Sequence, residues 1–139
     1  MFPAFDISAS GLAAQRTRMN IRSSNIANVS TTHNEAGERV PYQPKFCIFQ
    51  TDTDIGAYGA EGVKVASVEE ADLEPRWKYE PNNPDSIKEG PKAGYVAYPD
   101  VDMVIEFTDA LEAARSYEAN LGAIDLTKDM TNQTLRILA

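Results

Sequence analysis

The stretch FTDALEAARSYEANLGAIDLTKDMTNQTLRIL, Phe107 to Leu138, decides the fold. Taken in sevens from Phe107 and from Ala110, it places Phe107, Ala110, Ala114, Tyr117, Leu121, Ile124, Lys128, Thr131, Leu135 and Leu138 on one line. Eight of these ten are apolar or aromatic. A 3-4 spacing sustained over about five heptads predicts a long helix with a coiled-coil-like seam. No proline interrupts it, and Gly122 is its one weak position. At ~1.5 Å per residue it reaches on the order of 55 Å, too long for a compact domain of this size to cover alone.

Upstream, Pro99 followed by Asp100 or Asp102 makes a helix start, since acids favour the first turn. Before it, residues 33–98 hold most of the prolines and six of the eight glycines. Lys45–Thr51 and Gly62–Glu69 have strand patterns, Arg76–Tyr79 suits a short strand, and Glu80–Ser86 (EPNNPDS) reads as a turn or extended loop. This predicts a small β-rich insert with long loops and a thin core.

The N-terminal end mirrors the C-terminal one. Ile7, Ala14 and Ile21 recur at seven, as do Phe5, Leu12, Met19 and Ile26. At ~100° per residue the two sets lie on nearly opposite sides of one helix, which predicts contacts on both sides. NIANVSTT, Asn25 to Thr32, ends that helix near Asn28, because Asn and Ser compete for backbone hydrogen bonds and three β-branched residues follow. The expected class is α+β: residues 1–32 a helix and junction, 33–98 the β-rich insert, 99–139 the long helix.

At 139 residues the chain suits one domain, and 42% hydrophobic with 24% charged residues is a globular balance. Net charge of −8 argues against a nucleic-acid binder. The charge is polarised. Residues 1–30 set Asp6 against Arg16, Arg18 and Arg22, whereas residues 96–139 set eight acids against Arg115, Lys128 and Arg136. The two ends are therefore expected to attract, within a chain or between chains. No apolar run of membrane-spanning length occurs, and the N-terminus lacks a basic n-region, so it makes a poor secretory signal peptide.

Catalytic patterns are weak. His33 is the single histidine and Cys47 the single cysteine, and no third group in the sequence supports a triad or a zinc site. Asp52–Glu61 fails the EF-hand template at its glycine and glutamate positions. No phosphate-cradling glycine pattern occurs. The triplets at Asn28 and Asn132 match a glycosylation acceptor only by a common three-residue pattern. No catalytic residue, cofactor or metal is expected.

Gly94–Leu138 resembles the C-terminal signature of bacterial flagellar basal-body rod proteins: Gly-Tyr-Val-x-Tyr-Pro-(Asn/Asp)-Val, then (Ser/Ala)-x-x-Tyr-Glu-Ala-Asn, then Lys-x-Met and a terminal Leu. FDISASGLAAQRTRMNIRSSNIANVSTT resembles the matching N-terminal signature. YEPNNPDS is similar to a middle motif of the FlgC-type, proximal-rod branch. Asp100 and Asp102 stand where the family usually has Asn.

The resemblance implies a non-enzymatic subunit of the proximal rod, exported by the flagellum-specific type III route without a cleaved signal peptide. It implies terminal helices that are partly disordered in the monomer and pack as a coiled-coil core on assembly. Implied partners are copies of itself, other rod proteins, and basal-body ring and export-apparatus components, with no nucleic acid and no membrane insertion. The expected assembly interface is Leu12, Met19, Ile21, Asn25, Ile26, Asn28, Phe107, Tyr117, Glu118, Asn120, Leu121, Ile124, Leu135 and Leu138. A helical adaptor or type III secreted interaction protein outside the rod is the other reading of the same helices.

Overall fold

The computed structural model describes residues 3–55 and 60–138, with Leu138 described by its backbone alone. Residues 56–59, within the Asp52–Glu61 stretch, and the Leu138 side chain lie outside the described residues. The element order is α1 (Pro3–Ala27), β1 (Lys45–Asp52), β2 (Gly62–Glu70), β3 (Arg76–Tyr79), β4 (Tyr95–Tyr98) and α2 (Met103–Leu138). The class is α+β, with a helix at each end and two small antiparallel hairpins, β1–β2 and β3–β4, between them.

The helix starts and stops follow from single side chains. Asp102 caps α2: its Oδ1 accepts from the amides of Val104 (2.8 Å) and Ile105 (3.3 Å). Asn28 closes α1, its Nδ2 donating to the Ser24 carbonyl (2.9 Å) while its Oδ1 accepts from the Thr31 hydroxyl (3.0 Å).

The helices run antiparallel. A Cβ built on Gly11 would meet the Asn120 side chain at 2.9 Å, and Arg18, Arg22 and Asn25 meet Glu112, Asp109 and Glu106 in turn. The inward line of α2 is Glu106, Ala110, Ala113, Tyr117, Asn120, Ile124, Thr127 and Thr131, all buried or half-buried. Of the expected seam, Ala110, Tyr117, Ile124 and Thr131 lie on this line, whereas Phe107, Leu121 and Leu135 are 67%, 46% and 60% exposed. The reason is the α1 surface. Gly11 lets the backbones approach closely opposite Asn120, and Ala110 and Ala113 keep the line small between Glu106 and Tyr117. The polar members satisfy themselves locally. Asn120 donates to Ser116, Thr127 to Ala123 and Thr131 to Thr127, each to the carbonyl one turn back.

α1 packs against α2 and also against β1 and β2. Ala14 and Ile21 are buried; Phe5, Leu12, Met19 and Ile26 are half-buried; Ile7 is exposed. Gly62 lets β2 approach α1, where the Ser10 hydroxyl accepts from the Val63 amide (3.1 Å).

Asn25 joins these parts. It is fully buried and uses its whole amide. Nδ2 donates to the Lys45 carbonyl (2.8 Å) and to Glu106 Oε2 (3.0 Å). Oδ1 accepts from the Lys45 amide (2.9 Å) and the Tyr42 hydroxyl (2.9 Å). Glu106 Oε1 in turn accepts from Arg22 (2.9 Å), which also reaches Asp109 (2.9 Å). The charge attraction expected between the chain ends is thus made within one chain.

The second hairpin was legible only in part: β3 matches its expected span, whereas β4 lies inside the Gly94–Val101 motif and was not assigned as a strand. Gly94 has φ +84°, and a Cβ there would meet the Tyr79 ring at 2.7 Å. Val96, Pro99 and Val101 are buried. The EPNNPDS segment clasps this unit. Glu80 accepts from Lys78 (2.6 Å), Asn83 (2.9 Å) and Tyr98 (3.0 Å). Asp85 accepts from Thr32, the last residue of the junction, at 2.9 Å, and Arg39 donates to the Ser86 carbonyl at 3.2 Å. The hydrogen bond from Lys78, then those from Asn83 and Tyr98, hold the Glu80 carboxyl down to about 2 from the usual 4.5, and the same contact raises Tyr98.

Two outcomes are expected. Asn25→Ala strands the Lys45 amide and Glu106 without their partner and lowers stability by about 2–4 kcal/mol, read by urea unfolding. Glu80 has a depressed carboxyl, so its contribution is complete above pH 4.5 and is lost as pH falls toward 2. Fluorescence of Trp77, the single tryptophan, should report that step, and Glu80→Gln should flatten it.

Candidate assembly interface

Among the described residues, the buried apolar side chains are Ala14, Ile21, Pro44, Val96, Pro99, Val101 and Ala113. Two are alanines and two prolines, so these residues bury little apolar volume by themselves. Much of its large apolar side-chain surface faces outward instead.

On α2 this surface is ordered. Val104, Phe107, Leu111, Ala114, Glu118 and Leu121 follow one another at steps of three and four, which puts them on one line. Their mean direction is turned away from the inward line by well over a right angle at ~100° per residue. Val104 is 74% exposed, and Leu111 and Glu118 are also exposed. The large residues that heptad counting found at Phe107 and Leu121 therefore belong to an outer stripe. Val104 and Leu111 complete it and were not named from the sequence. Their signal was the same 3-4 spacing, read one position off.

Among the described residues the far end of α2 is exposed except at the half-buried Thr131. Continuing the helix pairing from Gly11–Asn120 brings Pro3, the first residue of α1, opposite Lys128. Asp129–Leu138 extend beyond it by about 15 Å. There Met130, Leu135 and Ile137 are all more than half exposed, Ile137 at 84%.

The remaining expected interface residues are distributed between two settings. Ile21, Asn25 and Asn120 are committed to the α1–α2 contact, and Asn28 to the α1 stop. Leu12, Met19, Ile26, Tyr117 and Ile124 are half-buried, and Leu12 and Tyr117 line a shallow recess with Ala9, Ala13 and Arg16.

Elsewhere the polar clusters are occupied with holding loops. His33 Nδ1 lies 2.9 Å from the Thr32 hydroxyl and 3.8 Å from Asp85, whereas Cys47 is half-buried in β1 opposite Val68. Among the described residues no group of three or more His, Cys, Asp or Glu is placed to hold a metal, and no helix is long and apolar enough to cross a membrane.

The comparisons with known proteins agree with this geometry. Residues 5–33, which are α1 and its junction, match the family described as flagella basal body rod protein. Residues 92–137, from the approach to β4 through α2, match the flagellar basal body rod FlgEFG protein C-terminal family. The chain is 38% identical to the flagellar basal-body rod protein FlgC of Borreliella burgdorferi, over 99% of this chain and 97% of that one. It is 40% identical to FlgC of Salmonella typhimurium, over 96% and 94% of the two chains. It is 38% identical to FlgC of Bacillus subtilis, over 98% and 97%. An open apolar stripe on a helix that outruns its partner, on a chain with such relatives, is the surface of a structural subunit, and the chain belongs to the FlgC family of flagellar basal-body rod proteins.

Proposed function

We propose that this rod subunit polymerises through its terminal helices into the proximal part of the axial shaft and transmits motor torque by packing alone. The observation that carries this reading is the outer stripe of α2, an ordered apolar line facing away from its own α1. Residues 1–32 and 99–139 supply the shaft core, and residues 33–98 form the outer part.

Helices of neighbouring subunits close over Phe107, Leu111 and Leu121 and over the Asp129–Leu138 extension, completing a coiled-coil-like core. Each copy then buries apolar surface at about 25 cal/mol per Å². Head-to-tail contacts that do not close into a ring generate a helical tube, the geometry a shaft requires. The role is mechanical and non-enzymatic. The neighbours are copies of this chain, other rod proteins, and the ring and export components that the growing rod meets. Export proceeds by the flagellum-specific type III route, without a cleaved signal peptide. The extension gains its order on assembly, because a lone helix end has too little packing to hold it.

Phe107→Asp and Leu121→Asp should leave the free chain folded, since both side chains already face water, with circular dichroism unchanged. The same variants should be missing from purified basal bodies and should abolish swimming. Normal motility in both would sink the proposal. Hydrogen exchange provides a second check. Amides of residues 129–138 should exchange at least tenfold faster than those of 106–120 in the free chain.

A further inference from the structure

Residues 69–79 read EEADLEPRWKY, an acidic run followed at once by a basic, aromatic strand. β3 (Arg76–Tyr79) is an open edge: it pairs with β4 alone, and all four side chains are exposed. The Glu80 amide bonds the Gly94 carbonyl (2.8 Å), and the ladder alternates from there. The peptide groups of Trp77 and Tyr79 therefore point away from β4. The opposite edge of the hairpin is already engaged, since the Tyr95 carbonyl accepts from the Ile87 amide (3.0 Å). β3 also borders a cleft of about 580 Å³ lined by Val29, Ser30, Tyr98 and Met103 as well as by its own Arg76, Trp77 and Lys78.

An occupant of this edge needs an extended backbone, acids on one side and apolar groups on the other. Glu70-Ala71-Asp72-Leu73-Glu74 has that alternation in sequence. In the free chain it bends at Asp72, where the Leu73 amide bonds the Ala71 carbonyl (2.9 Å), and Ala71 and Leu73 are held to Pro44 and Gln43, so Asp72 straightens on docking. Asp72 and Glu74 make no ion pair among the described residues, and neither does Arg76. Lys92 lies over the Trp77 ring, 3.8 Å from its centroid, and pairs with no acid among the described residues. These charges cannot be joined in one chain by a hairpin. Only Pro75 separates the two segments, and the tightest common hairpin loops need about two residues.

The geometry points to a contact between copies in which Glu70–Glu74 of one lies along β3 of the next, Asp72 and Glu74 meeting Arg76 and Lys92. Main-chain pairing at Trp77 and Tyr79 supplies the hold, and the charges set the direction. Donor and acceptor are different segments, so a head-to-tail contact between them propagates, whereas reciprocal pairing about Pro75 would close a dimer. It rests on the reading of the chain as a repeating subunit, and it lies in the outer part, away from the α2 stripe.

Zero-length carbodiimide coupling on an equal mixture of light and 15N-labelled full chains tests it. Cross-links of Asp72 or Glu74 to Lys78 or Lys92 should join light to heavy chains. Arg76→Glu alone, or Asp72→Arg with Glu74→Arg, should weaken association roughly tenfold, and mixing the two variants should restore it. All these positions are exposed, and circular dichroism confirms that each variant is folded. Cross-links confined to single chains, or variants that associate like the parent, overturn the contact. Cross-links from Lys78 or Lys92 to a different rod protein in isolated basal bodies, with none between copies, overturn the choice of occupant. A chain that enters basal bodies yet shows no such cross-link removes this contact and leaves the helical reading standing.

Discussion

One buried amide carries the arrangement of this chain. A buried asparagine is costly unless both hydrogens and both oxygen lone pairs find partners. Asn25 finds all four, and they come from three residues: the amide and carbonyl of Lys45, the Tyr42 hydroxyl and the Glu106 carboxylate. Lys45 begins β1, Tyr42 lies in the connection, and Glu106 stands in the first turn of α2. Any rotation of α1 about its axis would break several of these bonds at once. The amide therefore fixes the azimuth of α1, the departure of the insert and the height of α2 together. The arginine pairs beside it add attraction but less geometry, since partly exposed ion pairs are worth little singly.

That network explains why the α1–α2 contact is poor in large side chains. With Asn25, Glu106 and Arg22 at one end and Gly11, Ala14, Ala113 and Asn120 further along, the facing surfaces meet by closeness and hydrogen bonding. Large apolar residues would hold the backbones apart. They are turned outward on α2, where the described residues of the chain leave them uncovered. The same sequence thus separates two tasks: small and polar positions fix the fold of one copy, and large ones remain free for neighbours.

Element identity was legible where local physics decides it. The two helices, three of the four strands and the stop at Asn28 all follow from spacing, β-branching and backbone-competing side chains. The inward face of α2 was legible only in part. Glu106 and Asn120 are polar, and it is Asn25 and Gly11 across the contact that make them interior. Hydrophobic counting found Ala110, Tyr117, Ile124 and Thr131 of that face, and joined to them the large residues Phe107 and Leu121 of the outward one. β4 was hidden for a related reason: a four-residue strand between Gly94 and Pro99 has too few positions to show a period, and its pairing with β3 is non-local. The helix pairing, β3–β4 and the Glu80 clasp each depend on residues far apart in sequence.

The unequal lengths of the helices have a further consequence. Two helices ending level would give a unit with two blunt faces. Here one end of the pair is the tight turn into the insert, and the other is a single protruding helix about 15 Å long. A stack of such units is necessarily polar. Its last member always presents bare tips at one end and closed junctions at the other. In the proposed assembly, neighbours that shelter those tips would interdigitate along the axis, and shear between successive layers would be resisted by side chains locked past one another and not merely by the friction of flat surfaces.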